Sequence, residues 1–65
     1  MKSQTYQAIE KMLKENGFRL DRSSGSHFIW KNDVTGRSAP VPHHNKPLSV
    51  GIVLSIYRQA GIPKP

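Results

Sequence analysis

The stretch Arg22-Ser23-Ser24-Gly25-Ser26-His27-Phe28-Ile29-Trp30 decides how this chain folds. Ser23-Ser24-Gly25-Ser26 is a run of small, turn-forming residues. The segment from His27 to Lys31 that follows is rich in aromatic and β-branched side chains, the composition of a strand. Strand alternation sends Phe28 and Trp30 to one face and His27, Ile29 and Lys31 to the other. One face therefore belongs to a core, and the opposite face carries a histidine beside a turn with almost no side-chain bulk.

Upstream, Phe18-Arg19-Leu20-Asp21 alternates apolar and polar and reads as the preceding strand. Before it, Tyr6, Ile9, Met12 and Leu13 form an apolar stripe at helical spacing. This predicts a helix over about residues 3–16, N-capped by Ser3. Asn16-Gly17 supplies its left-handed stop. Downstream, Asn32 to Gly36 reads as a hairpin loop and Arg37 to Val41 as a third strand. Pro40 and Pro42 lack backbone donors, which suits an edge position. A polar connection, Pro42 to Pro47, leads to Ser49 as the next N-cap, with Leu48 and Val53 placed as a hydrophobic staple. Ile52, Val53, Ile56, Tyr57 and Ala60 then recur at helical spacing until Gly61 and Pro63 close the element. Gly51, in the first turn, lowers helix propensity by roughly 1 kcal/mol, which implies a packing or close-approach purpose.

The order is helix, three strands, helix, an α+β class. Short loops make the strands an antiparallel meander, and two amphipathic helices need one sheet face to cover. This α-β-β-β-α layer, with both helices on one face, is the arrangement of the double-stranded-RNA-binding domain. Trp30 and Tyr57 are expected in the core, the competing reading being platforms for RNA stacking.

The 65 residues are read as one small domain, residues 1–65, with no cysteine for a disulfide or a thiolate metal site. Ten Lys and Arg against four Asp and Glu give a net charge of +6. A basic surface of this kind points to a polyanionic partner such as nucleic acid, an acidic protein or an anionic membrane. The basic residues are scattered, so any patch is assembled by folding. No apolar run approaches the roughly 20 residues that span a bilayer, and the N-terminus has no signal-peptide pattern. The expectation is a soluble cytoplasmic protein that does not engage a membrane.

The four acids, Glu10, Glu15, Asp21 and Asp33, are dispersed. Paired-carboxylate and two-metal chemistry are therefore poor fits, and His43-His44 lacks further ligands at metal spacing. No cofactor or metal is expected. Histidine exchanges a proton near neutral pH, and RNA supplies its own nucleophile in the 2′-OH, so metal-free RNA cleavage remains open to His27. The turn before it offers close approach and backbone N–H groups to a phosphate. Arg22, Lys31 and Arg37 are candidates for phosphate contact, with Ser26, His44 and Lys46 as further RNA-binding candidates. The plainer reading of His27 is a strand-end histidine with a satisfied hydrogen bond.

Over nearly its whole length the chain resembles the HicA toxins of toxin–antitoxin pairs. The matching features are Asn16-Gly17-Phe18, Gly25-Ser26-His27 followed by Trp30, Val41-Pro42-His43-His44, and Leu48…Gly51…Ile56-Tyr57-Arg58-Gln59-Ala60-Gly61. The resemblance implies a small endoribonuclease that cleaves messenger RNA and halts translation, and the dispersed acids make a metal-independent cleavage the expectation. The same resemblance makes His27 catalytic and implies a HicB-type antitoxin that covers the active face. Ile52 departs from the family, whose members commonly carry threonine there. His27 would act on the 2′-OH proton or on the leaving oxygen. A non-catalytic module that reads duplex RNA by shape is the alternative.

Overall fold

The computed structural model describes residues 2–43 and 45–64. Its elements are α1 (Tyr6–Glu15), β1 (Phe18–Ser24), β2 (His27–Asn32), β3 (Ser38–Pro42) and α2 (Val50–Ala60). The strands form one antiparallel sheet in the order β1-β2-β3. Helix, three-stranded meander and helix follow the double-stranded-RNA-binding arrangement, with a core lying between the sheet and the two helices.

That core is built from alternate strand residues and one stripe of each helix. Phe18, Trp30, Ala39 and Val41 come from the sheet, Tyr6, Ile9 and Leu13 from α1, and Val53, Ile56, Tyr57 and Ala60 from α2. Trp30 is 1% exposed and Tyr57 6%, so both rings are core and neither is a surface stacking platform. The buried Tyr6 Oη and Trp30 Nε1 form no well-aligned hydrogen bond. Burial pushes the Tyr6 phenol above the ordinary tyrosine range, and the nearby Trp30 indole N–H opposes this more weakly.

Local chemistry moves three expected boundaries. The first helix begins at Tyr6, and its N-cap is Thr5, whose Oγ1 accepts from Ala8 N at 3.2 Å. Ser3 cannot cap it because Gln4 is held extended by two backbone bonds with Leu48, at 3.2 and 2.6 Å. The first strand runs on to Ser24, since Ser23 and Ser24 pair with Phe28 and His27 and leave Gly25-Ser26 as a two-residue turn. Gly25 takes φ +59° and Ser26 does not share the positive sign, the pattern of a II′ hairpin turn. The third strand starts at Ser38, one residue later than its apolar pattern suggested.

The second helix starts as expected, with Ser49 Oγ accepting from Ile52 N at 3.4 Å. It ends in a Schellman motif, in which Gly61 N donates to Arg58 O and Ile62 N to Tyr57 O. Gly61 has φ +72°, and a Cβ there would lie 2.6 Å from Arg37 Nε. The backbone conformation is what demands glycine, since the Arg37 guanidinium is the far end of a flexible side chain and can shift aside. Gly51 has no atom within 4 Å of the position of a Cβ, so no packing purpose inside the chain explains it.

Candidate active site

The two-residue turn places His27 at the first position of β2, exposed to solvent. Its cross-strand neighbours are Ser24 on β1 and Pro42 on β3. A register shift between Leu20 and Arg22 makes Asp21 a β-bulge. Strict alternation would separate Arg19 from Arg22, but the extra residue turns both to the side of the sheet away from the helices. Arg22 stands opposite Ile29, and Arg19 opposite Lys31. The open face therefore carries Arg19, Arg22 and Ser24, then His27, Ile29 and Lys31, then Ser38, Pro40 and Pro42. Ile29 is half-buried rather than fully bare.

Most of this positive charge is already partnered. Arg19 grips Asp33 through two bonds, Nε to Oδ2 at 2.7 Å and Nη2 to Oδ1 at 3.0 Å, and reaches Asp21 Oδ1 at 3.2 Å. Arg22 Nη1 meets Asp21 Oδ2 at 2.7 Å. The hydrogen bonds from Arg19 hold Asp33 below the usual carboxylate range, and those from Arg22 and then Arg19 do the same for Asp21. The two carboxylates in turn raise the Arg19 guanidinium above its ordinary value. Arg19 thus fastens β1 to the β2–β3 loop, while Arg22 has one carboxylate to exchange for a phosphate. Among the described residues, no carboxylate lies within ion-pair distance of His27.

The candidates fall into three places. Arg22, Ser26 and His27 gather at one end of the sheet. Lys31 shares the open face but lies four residues along β2 from His27, about 13 Å at strand rise. Arg37 is not brought to this site: it leaves the β2–β3 loop toward α2, where its guanidinium lies against Gly61 and Nη1 approaches Gln59 O at 3.5 Å. A cation there complements the negative end of the helix dipole. Lys46 is exposed in the β3–α2 connection, and His44 lies outside the described residues.

The connection after β3 is tied to the catalytic candidate's turn, because His43 N donates to Ser26 O at 2.7 Å. The His43 ring packs on the helix side of the sheet against Phe28 and Tyr6. Sequence reasoning missed this placement, and it missed Asn32. That side chain is 7% exposed and accepts from Val34 N and Thr35 N while donating to Asn16 O. The Asn-Asp run after a strand was the available sign, since Asx side chains bond their own loop.

A groove of about 550 Å³ runs between the outer side of α2 and the tail after it, lined by Leu54, Arg58, Ile62 and Pro63 among others. It contains none of the candidate site residues. Among the described residues, no group of three His, Cys, Asp or Glu side chains is arranged to hold a metal ion, and no helix is long and apolar enough to cross a membrane.

Fold and site together define a small α+β domain of the double-stranded-RNA-binding type with an exposed histidine at its sheet end. Residues 6–62 match the family model described as the HicA toxin of bacterial toxin–antitoxin systems. The chain belongs to the HicA toxin family, and such a toxin has an antitoxin partner. No curated protein and no solved structure gives a significant match.

Proposed function

We propose that the chain is an endoribonuclease that cleaves messenger RNA without a metal ion, with His27 as its proton-transfer group. The observation that carries this reading is the placement of His27. It is exposed, at the first residue of a strand, directly after a turn whose Gly25 has no side chain and no atom within 4 Å of where one would begin. A phosphodiester can come within contact distance of that backbone, and Arg22 can trade Asp21 for the phosphate.

In the reaction, the 2′-OH loses its proton and its oxygen attacks the adjacent phosphorus. The bond to the 5′ oxygen breaks and that oxygen takes up a proton, leaving a 2′,3′-cyclic phosphate and a 5′-hydroxyl end. His27 serves one of the two proton transfers, a contribution of about 10²–10⁴-fold for a positioned histidine. Arg22 and Lys31 hold the flanking phosphates. An antitoxin of the HicB type, seated on the open face over Ile29 and Pro40, would block substrate and neutralise the basic surface.

The test is cleavage of RNA by wild type and His27→Ala with a chelator present. Wild type is expected to cut and the variant to lose at least a hundredfold in rate. Tight binding of duplex RNA with no cleavage under any condition would favour a non-catalytic binding module instead.

A further inference from the structure

His43 has a built environment that the cleavage reading leaves unused. Its imidazole lies flat on Phe28, with centroids 4.6 Å apart and planes 9° from parallel. Tyr6 meets the same imidazole at 4.4 Å and 80°, and meets Phe28 at 5.7 Å and 80°. Those three separations place Tyr6 beside the imidazole, at about a right angle to the direction of Phe28 seen from His43. One face of the ring is therefore covered by Phe28 and one edge by Tyr6. Among the described residues no other ring packs on the imidazole, and His43 is an exposed residue.

A side chain that only closed the end of the core would be apolar and buried, as Val41 is two residues earlier on the same side. A flat ring fixed on an aromatic base in a residue that stays exposed is instead a surface for a second flat ring. Its position is equally specific. The bond from His43 N to Ser26 O continues the β2–β3 ladder by one pair beyond His27 and Pro42. The platform thus sits at the same end of the sheet as His27, one pair beyond it, but on the helix side where Phe28 lies, so a strand of RNA that uses both must pass around the Gly25-Ser26 turn.

We propose that His43 is a base-stacking subsite. An unpaired nucleobase of the RNA stacks on the imidazole face opposite Phe28 and extends the Phe28–His43 pair, while the adjoining phosphodiester passes around Gly25-Ser26 to reach His27. This rests on the RNA-cleaving reading given above and adds a substrate rule to it. A base in a duplex has its faces occupied by its neighbours, so the substrate must be single-stranded at this position. Stacking tolerates all four bases, since each has a π-face, and this subsite therefore selects unpaired RNA and not a sequence.

The experiment has two arms. Cleavage of a single-stranded oligonucleotide, and of the same oligonucleotide in a duplex, is followed for wild type, His43→Ala, His43→Leu and His43→Phe. Binding of a single-stranded oligonucleotide carrying 2-aminopurine beside the cut is followed by fluorescence, with each His43 variant placed in the His27→Ala background. Losing one stacked base is expected to raise KM about 10- to 100-fold. His43→Ala and His43→Leu should show this with kcat and the pH profile little changed, whereas His43→Phe should restore KM and the 2-aminopurine quenching. Leucine fills the space without a stacking face, so this comparison stands even if the alanine variant folds poorly.

The subsite is refuted if His43→Leu keeps the wild-type KM. It is equally refuted if His43→Phe is as impaired as leucine with an altered pH profile, which would make His43 a proton carrier. Loss of antitoxin binding with unchanged RNA kinetics would give the ring to a protein interface. If wild type cleaves no RNA, the cleavage reading fails by itself, and the quenching arm still decides the stack.

Discussion

The backbone N–H of His43 donates to the carbonyl of Ser26 at 2.7 Å, and this bond locks the β3–α2 connection against the turn that presents His27. Two stretches seventeen residues apart in sequence become one end of the sheet. The proposed chemistry depends on that end being rigid, because a proton-transfer group gains its rate from being held in place.

The turn itself is open to a direct test. Gly25 has φ +59° and free space where a Cβ would stand, so alanine there costs only backbone strain. We expect Gly25→Ala to destabilise the fold by about 1–3 kcal/mol, measured by urea unfolding. RNA cleavage should fall by more than the lost folded fraction explains, since the methyl group intrudes where a phosphate approaches.

Asn32 is the polar hinge of the β2–β3 loop and supports Asn16 at the end of α1. Replacing it by alanine strands two loop N–H groups and the Asn16 carbonyl. A loss of about 1–3 kcal/mol is expected in chemical denaturation, with chain folding and site chemistry otherwise retained.

The Arg19–Asp33 clamp makes stability pH-dependent with a definite sign. Arg19 lowers the folded-state value of the Asp33 carboxyl. The clamp's contribution is therefore complete above the unfolded carboxylate value, about 3.9, and disappears as pH falls through the lower folded value. Thermal melts of wild type should drop across that acid range, and Asp33→Asn should show a shallower drop. Both partners are exposed, so added salt should narrow the difference between the two proteins.

Arg22 and Arg37 should separate by function. Arg22 lies on the open face near His27, and Arg37 caps the α2 terminus. Arg22→Ala is expected to weaken RNA binding and flatten its salt dependence by about one phosphate contact. Arg37→Ala should instead lower the melting temperature slightly and leave the salt slope unchanged, as read by binding titrations at several ionic strengths.

The layer order was legible because Phe28 and Trp30 alternate with His27 and Lys31, and because Ile9, Leu13, Val53 and Ile56 recur at helical spacing. Short-range pattern carries that information. The bulge at Asp21 was not legible, since nothing in Leu20-Asp21-Arg22 marks which residue goes unpaired; the pairing with β2 decides it. Arg37 went the other way for the same kind of reason. Its destination at Gly61 depends on a contact between residues 24 positions apart. His27 was singled out from a small turn followed by a strand, which is local, whereas the ring stack of His43 on Phe28 exists only once β3 lies against β2.

The decisive measurement is the rate and product of RNA cleavage by purified wild type and His27→Ala in the presence of EDTA. Wild type should cut a single-stranded RNA and leave a 2′,3′-cyclic phosphate, and the variant, folded by circular dichroism, should be slower by at least a hundredfold. Equal rates for the two proteins, or activity abolished by the chelator, would contradict a metal-free mechanism centred on His27.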